Sequence, residues 1–441
     1  MRYHLISLGC PKNTVDAQGM ASRLNAAGHT PTDDAQAADL LIVNTCGFIA
    51  EARDESLAVL RELAAAMRPD QRLVATGCMA QYTPEMLRQA VPQLKGLLGT
   101  RRWREVLNLV ERMQTNPGQV ALLGDPPGGP GISTHGSRAA VQGASAYLEI
   151  AEGCSAPCAF CAIPAIKGPA RSRPVADVVG DARALATQGV KEIVLIAQDT
   201  TAYGHDRGQN DALPGLIEAI LEAVPALVWL RLMYAYPQHI GPHLIETMAR
   251  CPQVCHYLDI PLQHGHPDVL RRMRRPHDVD RVRRLIEDLR TAMPDIALRT
   301  TFIIGYPGET ENEFETLLDF VAEIAFDHVG TFTYSPEAGT PAAELPGQLP
   351  NEVKIERYER LMTLQQNISL ERNQTQVGRT LDVLLEGSGD GLSVGRSYRD
   401  APEIDGLVIV AGELPAGEMV AVHIEKAMEY DLAGRVVGSR K

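Results

Sequence analysis

The segment EGCSAPCAFCAIP, residues 152–164, places Cys154, Cys158 and Cys161 in a CxxxCxxC pattern. Thiolates this close together can hold one soft metal centre. Three ligands leave one coordination position of a four-iron cluster open for chemistry, whereas a closed structural zinc site takes four ligands. No histidine lies near the cysteines to serve as a fourth ligand. The pattern therefore favours an iron–sulfur cluster with an open iron over zinc or unligated thiols.

Cys10, Cys46 and Cys78 each follow an apolar segment that predicts a buried strand, namely LISL, DLLIVNT and RLVATG. The carboxyl ends of parallel strands form one edge of a sheet, which is where open α/β sheets bind ligands. Free cysteines often pack as small apolar residues, but three in the same topological position favour a second metal site. Cys251 and Cys255 lack a third partner, and we interpret both as structural.

The elements that must position these cysteines follow from the alternation of apolar and helical patterns. In the first hundred residues, apolar strands alternate with helical segments near 13–27, 50–67 and 84–90, which predicts a parallel sheet with crossovers. Residues 1–115 are therefore predicted to form a doubly wound α/β domain. The Gly- and Pro-rich stretch GDPPGGPG predicts a linker, which we place at residues 116–139.

A second α/β series follows the predicted linker. Six apolar segments (YLEIAEG, EIVLIAQD, LVWLRLMYAYP, HYLDIPLQH, IALRTTFIIGYPGE and HVGTFTYSP) alternate with helical patterns and predict an open (β/α)6 barrel. A long amphipathic helix over 351–376 closes this domain, residues 140–376. Residues 377–441 contain short strands with glycine turns, which predict a small all-β barrel. We expect this last domain to lie over the barrel mouth.

Composition sets the broad class of the protein. A chain of 441 residues exceeds one ordinary core. It has no apolar run of about 20 residues that could span a bilayer, and the start lacks the pattern of a signal peptide. We expect a soluble cytoplasmic protein with reduced thiols. The net charge of −13 argues against attraction of nucleic acid to the molecule as a whole.

The CxxxCxxC segment, with Phe160 before its third cysteine, resembles the radical S-adenosylmethionine (SAM) superfamily. The segments LGCPKNTVDAQG, VNTCGFI and ATGCMAQ extend the resemblance over essentially the whole chain, to the methylthiotransferases. The resemblance implies an amino-terminal cluster domain, a radical SAM core and a terminal TRAM domain. It also implies two 4Fe-4S clusters on the six cysteines, with SAM serving both as methyl donor and as radical source.

The same resemblance implies where SAM lies. Phe160, Gln198, Arg299 and Gly305 are expected near the barrel mouth as cofactor-binding residues. No catalytic residue is predicted beyond the cluster ligands. An electron donor and a sulfur donor are expected as partners.

Two substrates divide this family: an aspartate on the twelfth protein of the small ribosomal subunit, and an adenosine of transfer RNA. Residues 380–441 carry eleven acids against six bases, which suits a basic protein better than a phosphate backbone. The stretches YAYP, DIPLQHGHPDVL and GRSYRDAPEIDG also resemble the ribosomal-protein branch. We therefore predict methylthiolation of the β-carbon of that aspartate, on the free protein or on the ribosome.

Two alternatives remain open. The basic segment RRMRR, residues 271–275, can be a solvated helix face or can meet RNA, so transfer-RNA modification is the second hypothesis. The third belongs to a different class, an iron–sulfur redox sensor or RNA-binding module without catalysis. Cleavage of SAM to 5'-deoxyadenosine distinguishes an enzyme from a sensor.

Overall fold

The computed structural model describes residues 1–126 and 137–438, so residues 127–136 of the predicted linker lie outside the described residues. Within these ranges the chain forms a six-stranded sheet, a seven-stranded sheet, a two-stranded pair and a closed β-barrel. None of the helices in the described ranges is long and apolar enough to cross a membrane.

The first domain is a parallel sheet with strand order β2-β1-β3-β4-β5-β6. Its strands are β1 (Arg2–Ser7), β2 (Thr30–Pro31), β3 (Leu40–Thr45), β4 (Arg72–Gly77), β5 (Leu94–Gly99) and β6 (Val120–Leu122). Its helices are α1 (Pro11–Ala26), α2 (Ala50–Ala66), α3 (Cys78–Tyr82), α4 (Pro84–Ala90) and α5 (Val106–Thr115). Helices α1 and α5 bury apolar residues on one face and α2 to α4 on the other, which confirms the doubly wound sheet.

The first sheet extends further along the chain than predicted. Strand β6 pairs in parallel with β5, with Val120 opposite Gly96, and therefore lies inside the predicted linker rather than before residue 115. Only Val120 and Leu122 of its three residues are buried. Such a short apolar signal is too weak to be distinguished from a loop.

The second domain is a seven-stranded sheet with strand order β15-β14-β13-β12-β11-β8-β7. Its strands are β7 (Ala139–Gln142), β8 (Ser145–Glu149), β11 (Glu192–Ile196), β12 (Trp229–Leu232), β13 (Val254–Asp259), β14 (Ala297–Ile304) and β15 (His328–Thr333), and β9 (Ala151–Glu152) pairs with β10 (Arg171–Ser172). The strands from β8 to β15 within this sheet are parallel and confirm the open six-unit barrel. Strand β7, which was not predicted, runs antiparallel at the edge.

Helices cover the outside of this sheet. They are α6 (Ile163–Lys167), α7 (Val175–Thr187), α8 (Leu213–Ala223), α9 (Pro242–Arg250), α10 (Pro267–Arg272), α11 (Val279–Ala292), α12 (Glu311–Ile324) and α13 (Asn351–Gln374). The large apolar core between sheet and helices draws on α7, α8, α9, α11, α12 and α13. Helix α13 packs beside β15, where Gln365 Nε2 donates to the Phe326 carbonyl at 3.0 Å.

The third domain is a closed five-stranded barrel, which confirms the predicted all-β domain. Its strands are β16 (Thr380–Gly389), β17 (Leu392–Ser397), β18 (Val408–Ala411), β19 (Met419–Ala427) and β20 (Leu432–Val436). Strands β17 and β20 carry arginine and glycine within short segments, LSVGRS and LAGRV. Their apolar pattern is therefore too sparse to be recognised from sequence.

The third domain packs against the amino ends of the second domain's strands. Glu192, the first residue of β11, accepts from Arg231 Nε at 2.7 Å and from Arg396 Nη2 of the third domain at 2.6 Å. Just before β15, Asp327 accepts from Arg399 Nη2 at 2.7 Å. The expectation that this domain lies over the barrel mouth is wrong, because its two buried arginines find their carboxylate partners at the opposite end.

Replacing Glu192 by Gln should destabilise this interface, since Arg231 and Arg396 would stay buried beside a neutral amide. Removing one partner of a buried ion pair costs about 3–5 kcal/mol. We expect a lower apparent melting temperature at pH 7, measured by circular dichroism at a fixed scan rate. Glu429→Gln, at an exposed position, serves as the control and should melt like the wild type.

The pH dependence provides a second readout for the same variant. Burial alone raises the pKa of Glu192, but Arg231 and Arg396 more than offset burial and lower the pKa from 4.5 to about 2. The stabilisation by this carboxylate is therefore complete above its unfolded pKa and is lost as the pH falls toward about 2. Because glutamine does not titrate, the Glu192→Gln variant should lose less stability than the wild type as the pH falls. A variant with the wild-type melting temperature and acid profile would contradict the assignment.

Candidate metal centres

The first group of cysteines lies at the carboxyl edge of the first sheet. Cys10 follows β1 and immediately precedes α1, Cys46 follows β3, and Cys78 begins α3 directly after β4. The strand order reverses between β1 and β3, and the crevice at such a reversal is the usual ligand site of an open α/β sheet. The structure therefore places the three predicted residues at one ligand-binding edge.

Close packing joins the Cys10 loop to Cys46. Gly9 has a φ of +87°, and a Cβ built on it would lie 2.7 Å from Cys46 Cβ and 2.9 Å from Cys46 Sγ. Both the backbone conformation and the contact require glycine. The loop can approach Cys46 this closely only because residue 9 has no side chain.

Asn13 holds the other side of this group together. Its Nδ2 donates to the Leu8 carbonyl at 2.8 Å and to the Thr45 carbonyl at 3.1 Å, next to Cys46. Its Oδ1 accepts from Cys78 Sγ at 3.5 Å. The sequence interpretation missed Asn13, although its position three residues after Cys10, in the first turn of α1, could have indicated it.

The thiol chemistry of this group fits a soft metal centre. All three cysteines are free, with Cys10 exposed and Cys46 and Cys78 buried. Burial raises the pKa of Cys46 and of Cys78, and negative charge on the neighbouring thiols raises both further. The thiolate forms are thus costly without a cation, and a bound metal stabilises them directly.

The second group, Cys154, Cys158 and Cys161, lies in the loop between β9 and α6, and each residue is partly exposed. Burial is the main factor that raises the pKa of Cys154 and the pKa of Cys161, the latter to about 12, and neighbouring thiols add to both shifts. Three free thiols crowded on one short loop match the donor set expected for a cluster with an open iron.

Arg275 lies beside this second group and was missed as a functional residue. Its Nη1 is 3.8 Å from Cys158 Sγ, and its guanidinium lies 4.1 Å from the centre of the Tyr236 ring. Only 8% of Arg275 is exposed. A buried cation at this distance can offset negative charge that develops on the thiolates.

The rest of the basic segment does not form a free cationic surface. Arg271 pairs with Asp268, and Arg272 Nη1 lies 2.9 Å from Glu313 Oε1. On α11, Arg283 Nη2 lies 2.8 Å from Glu323 Oε2. Much of the positive charge in this region is therefore neutralised within the protein.

Three of the four predicted cofactor residues lie near the second group's end of the barrel. Gln198 follows β11, and its Oε1 is buried without a hydrogen-bond partner in the described part of the chain. Gly305 follows β14 with a φ of +68°, and its amide donates to Glu309 Oε1 at 3.1 Å. Phe160 is half-buried beside Ala159 in a small apolar cluster. The unsatisfied oxygen of Gln198 is therefore free to accept a hydrogen bond at this end of the barrel.

Arg299 has a different environment. Its Nη1 lies 3.0 Å from Asp259 Oδ1 and its Nε lies 3.2 Å from Asp405 Oδ1 of the third domain. Burial alone lowers the pKa of Arg299, but Asp259 and the other acidic neighbours raise it. The guanidinium is thus fully engaged by carboxylates inside the barrel.

A buried carboxylate, Asp16 on α1, fixes the first domain to the second. It accepts from Arg138 Nη1 at 2.7 Å, from Lys167 Nζ at 2.8 Å and from Thr100 Oγ1 at 3.0 Å. Burial alone raises the pKa of Asp16, but Lys167 and Arg138 lower it below the ordinary value. Asp16 therefore remains charged at the joint between the domains.

This joint brings the two cysteine groups together. Lys167 ends α6, the helix that follows Cys161, and Cys78 packs with Ala162 and Ile166 in one small apolar cluster. The first group thus adjoins the helix that directly follows the second group's last cysteine.

Comparisons with known proteins agree with this architecture. Family models match residues 2–99 (uncharacterized protein family UPF0004), 148–321 (radical SAM superfamily) and 377–437 (TRAM domain). The ribosomal protein uS12 methylthiotransferase RimO of Roseiflexus castenholzii is 50% identical over 99% of this chain and 96% of its own length. The protein of the same name from Chloroflexus aurantiacus is 51% identical over 99% of this chain and 100% of its own length.

A solved structure extends the comparison to the fold. The radical SAM methyltransferase TsrM of Kitasatospora setae, with cobalamin and a [4Fe-4S] cluster bound, has a TM-score of 0.55 and 15% identity. The match covers 89% of this chain and 80% of that chain. At this level of identity the likeness concerns the fold alone.

Replacing Asp16 by Asn should loosen the joint, because Arg138 and Lys167 would remain buried beside a neutral side chain. We expect the free energy of unfolding to fall by about 3–5 kcal/mol. Amide hydrogen exchange in α1 and α6, measured by mass spectrometry, should become faster. Asp54→Asn, at an exposed position on α2, is the matched control. Unchanged exchange in both helices of the Asp16 variant would show that the carboxylate does not hold the domains together.

Proposed function

This chain belongs to the RimO family of radical SAM methylthiotransferases, and from that premise we propose that it methylthiolates the β-carbon of an aspartate on ribosomal protein uS12. The observation that carries the proposal is the pair of three-cysteine groups brought together by the Asp16 joint. An unactivated C–H bond yields to neither acid–base nor nucleophilic side chains, so cofactors must supply the reactive groups.

We propose that the two cysteine groups hold the two 4Fe-4S clusters of this family. Cys154, Cys158 and Cys161 would hold the cluster that binds SAM, and Cys10, Cys46 and Cys78 would hold the second cluster. When bound, these cofactors supply the methyl group, the sulfur and the radical. The chain would supply the thiolates and hold the two groups in a fixed arrangement.

The four predicted cofactor residues would divide into two roles. Gln198 offers an unsatisfied buried oxygen to a donor on SAM, and Phe160 provides an apolar wall. Gly305 would shape the turn after β14, where the Lys354 side chain occupies the place of a Cβ. Arg299 would act as a positioning residue, since Asp259 and Asp405 already occupy its guanidinium. Arg275 would stabilise negative charge at Cys158.

The surface of the third domain supports a basic substrate. Eight of its acids are exposed, against two exposed bases, Arg379 and Lys426, in the described residues 377–438. The eight are Asp382, Glu386, Asp390, Glu403, Glu413, Glu418, Glu425 and Glu429. Arg396 and Arg399 are buried at the barrel interface, so this surface is more acidic than the composition alone indicates. The negative electrostatic potential of this surface attracts a basic ribosomal protein and repels RNA phosphates.

The remaining partners follow from the chemistry. Reductive cleavage of SAM requires an electron donor, and each turnover consumes sulfur, so a sulfur donor is required. A ribosomal substrate implies action in the cytoplasm, on free uS12 or on the assembling subunit. Transfer-RNA modification has less support, because the arginines of the basic segment are largely paired or buried.

Cysteine substitutions test the two-cluster proposal. After anaerobic reconstitution, the wild type should hold about eight irons per chain, and Cys158→Ala or Cys46→Ala should each hold about four. Cys158→Ala should lose 5'-deoxyadenosine formation, and Cys46→Ala should retain part of it without methylthio product on uS12. Products are measured by mass spectrometry, with transfer RNA as the alternative substrate. Cys251→Ala, outside both groups, is the control.

Several outcomes would contradict the proposal. Methylthio product at normal yield from Cys46→Ala would show that the second cluster is unnecessary. Modified transfer RNA with untouched uS12 would identify the other branch of the family. The absence of 5'-deoxyadenosine from the reduced wild-type enzyme would favour a sensor.

Neutralising exposed acids tests the electrostatic part. The triple variant Asp382→Asn, Asp390→Asn and Glu418→Gln should slow association with uS12 roughly several-fold at low salt and little at high salt, where charges are screened. Association rates are measured by stopped-flow fluorescence. The control replaces the exposed acids Glu287 and Asp288 on α11. Equal effects of both variants would exclude a steering role for the third domain.

A further inference from the structure

Lys12 is a buried cation that the roles assigned above leave unexplained. It is the second residue of α1, two positions after Cys10, and only 7% of it is exposed. Its Nζ lies 3.2 Å from the centre of the Tyr234 ring. Within the described ranges, no hydrogen bond or ion pair to a carboxylate reaches this ammonium group. Burying a charge in this way is costly unless a partner compensates for it.

Besides the Cys10 thiol, two carboxylates act on Lys12, and both already have other partners. Glu149 forms an ion pair with Arg138, and Asp259 accepts from Arg299 Nη1 at 3.0 Å and from the Tyr234 amide at 3.1 Å. Neither carboxylate is free to neutralise the ammonium group. An anion from outside the chain is therefore the natural partner of Lys12.

Lys12 lies between the two cysteine groups, beside a loop that reaches toward both. Tyr234 and Tyr236 lie on the same loop after β12. Tyr236 lies under Arg275, which contacts Cys158, and Tyr234 lies under Lys12, which follows Cys10. The loop therefore spans the distance from one group to the other, with a cation over each tyrosine.

The backbone of this loop is held in a costly conformation. Tyr234 has a φ of +62°, which is uncommon for a bulky residue and is retained only when surrounding contacts require it. Its carbonyl accepts from the Thr200 amide at 3.0 Å and its own amide donates to Asp259. These bonds fix the backbone that carries the Tyr234 ring, against which the Lys12 ammonium group packs.

We propose that Lys12 binds the side-chain carboxylate of the target aspartate, an inference that rests on the proposed function. The carboxyl carbon of aspartate is bonded to the β-carbon. A carboxylate bound at Nζ would therefore hold the reacting β-carbon one bond from the anchored group, between the two cysteine groups. An ammonium group donates hydrogen bonds and accepts none, and its bonds to carboxylate are charge-assisted. Lys12 would thus select aspartate over asparagine or an adenine base.

The test compares recombinant uS12 with the same protein carrying Asn at the target position. Affinities for the anaerobically reconstituted holoenzyme are measured for wild type, Lys12→Met and Lys12→Arg. The control is Lys95→Met, at an exposed position of the first domain. Iron content and the electron paramagnetic resonance spectrum of each reduced variant report whether both clusters are loaded.

We expect the wild type and Lys95→Met to prefer the Asp protein by about tenfold or more, which corresponds to at least about 1.4 kcal/mol. Lys12→Met should bind both proteins equally, and Lys12→Arg should recover part of the preference. If Lys12→Met fails to load iron, Lys12→Arg is compared with the wild type instead. The arginine places its positive charge differently, so it should reduce the preference for the Asp protein over the Asn protein.

Two outcomes separate this inference from the proposed function. An unchanged preference in the Lys12 variants, with or without a shift in the spectrum of the first cluster, would overturn the inference and assign Lys12 to the thiolates alone. A wild type that neither binds nor modifies uS12 would overturn the proposed function itself.

Discussion

The arrangement of the two cysteine groups depends on the hydrogen bonds and ion pairs of the buried Asp16 carboxylate. Its three donors come from separate parts of the chain: the turn after β5, the start of the second sheet and the helix after the second cysteine group. A buried ion pair contributes little net stability, because desolvation offsets much of the attraction. The hydrogen bonds of such a pair require precise geometry, however, and here they fix α6 and its neighbouring cysteines against the first domain.

The same principle operates at the other end of the barrel. Glu192 and Asp327 bind Arg396 and Arg399 of the third domain, so the radical SAM domain is held at both ends by buried charge. The two joints differ in their consequences. The Asp16 joint holds the two cysteine groups next to each other. The Glu192 and Asp327 pairs hold the third domain against the amino ends of the strands, and its acidic surface faces solvent.

Much of the fold was predictable, because strands such as β3 and β14 and helices such as α11 carry strong local patterns. The six cysteines were placed at strand ends by the same reasoning, although their role as ligands stays a prediction. Short strands such as β6 and β20 lack a local signal. Asp16 and Arg138 are 122 residues apart, and no local periodicity links such a pair. Lys12 and Arg275 were missed for the same reason, since only their tertiary contacts distinguish them from ordinary surface residues.

The long sequence separation within the Asp16 joint also imposes an order on biosynthesis. The first domain leaves the ribosome with the Asp16 carboxylate still in water, because Arg138 and Lys167 are translated later. Domains generally fold as units during synthesis, beginning at the amino terminus. The first cysteine group can therefore form before the second, and the two meet only when the barrel closes over α1. The contacts that Arg138 and Lys167 make with Asp16 are therefore added to a first domain that already holds its three cysteines at the sheet edge.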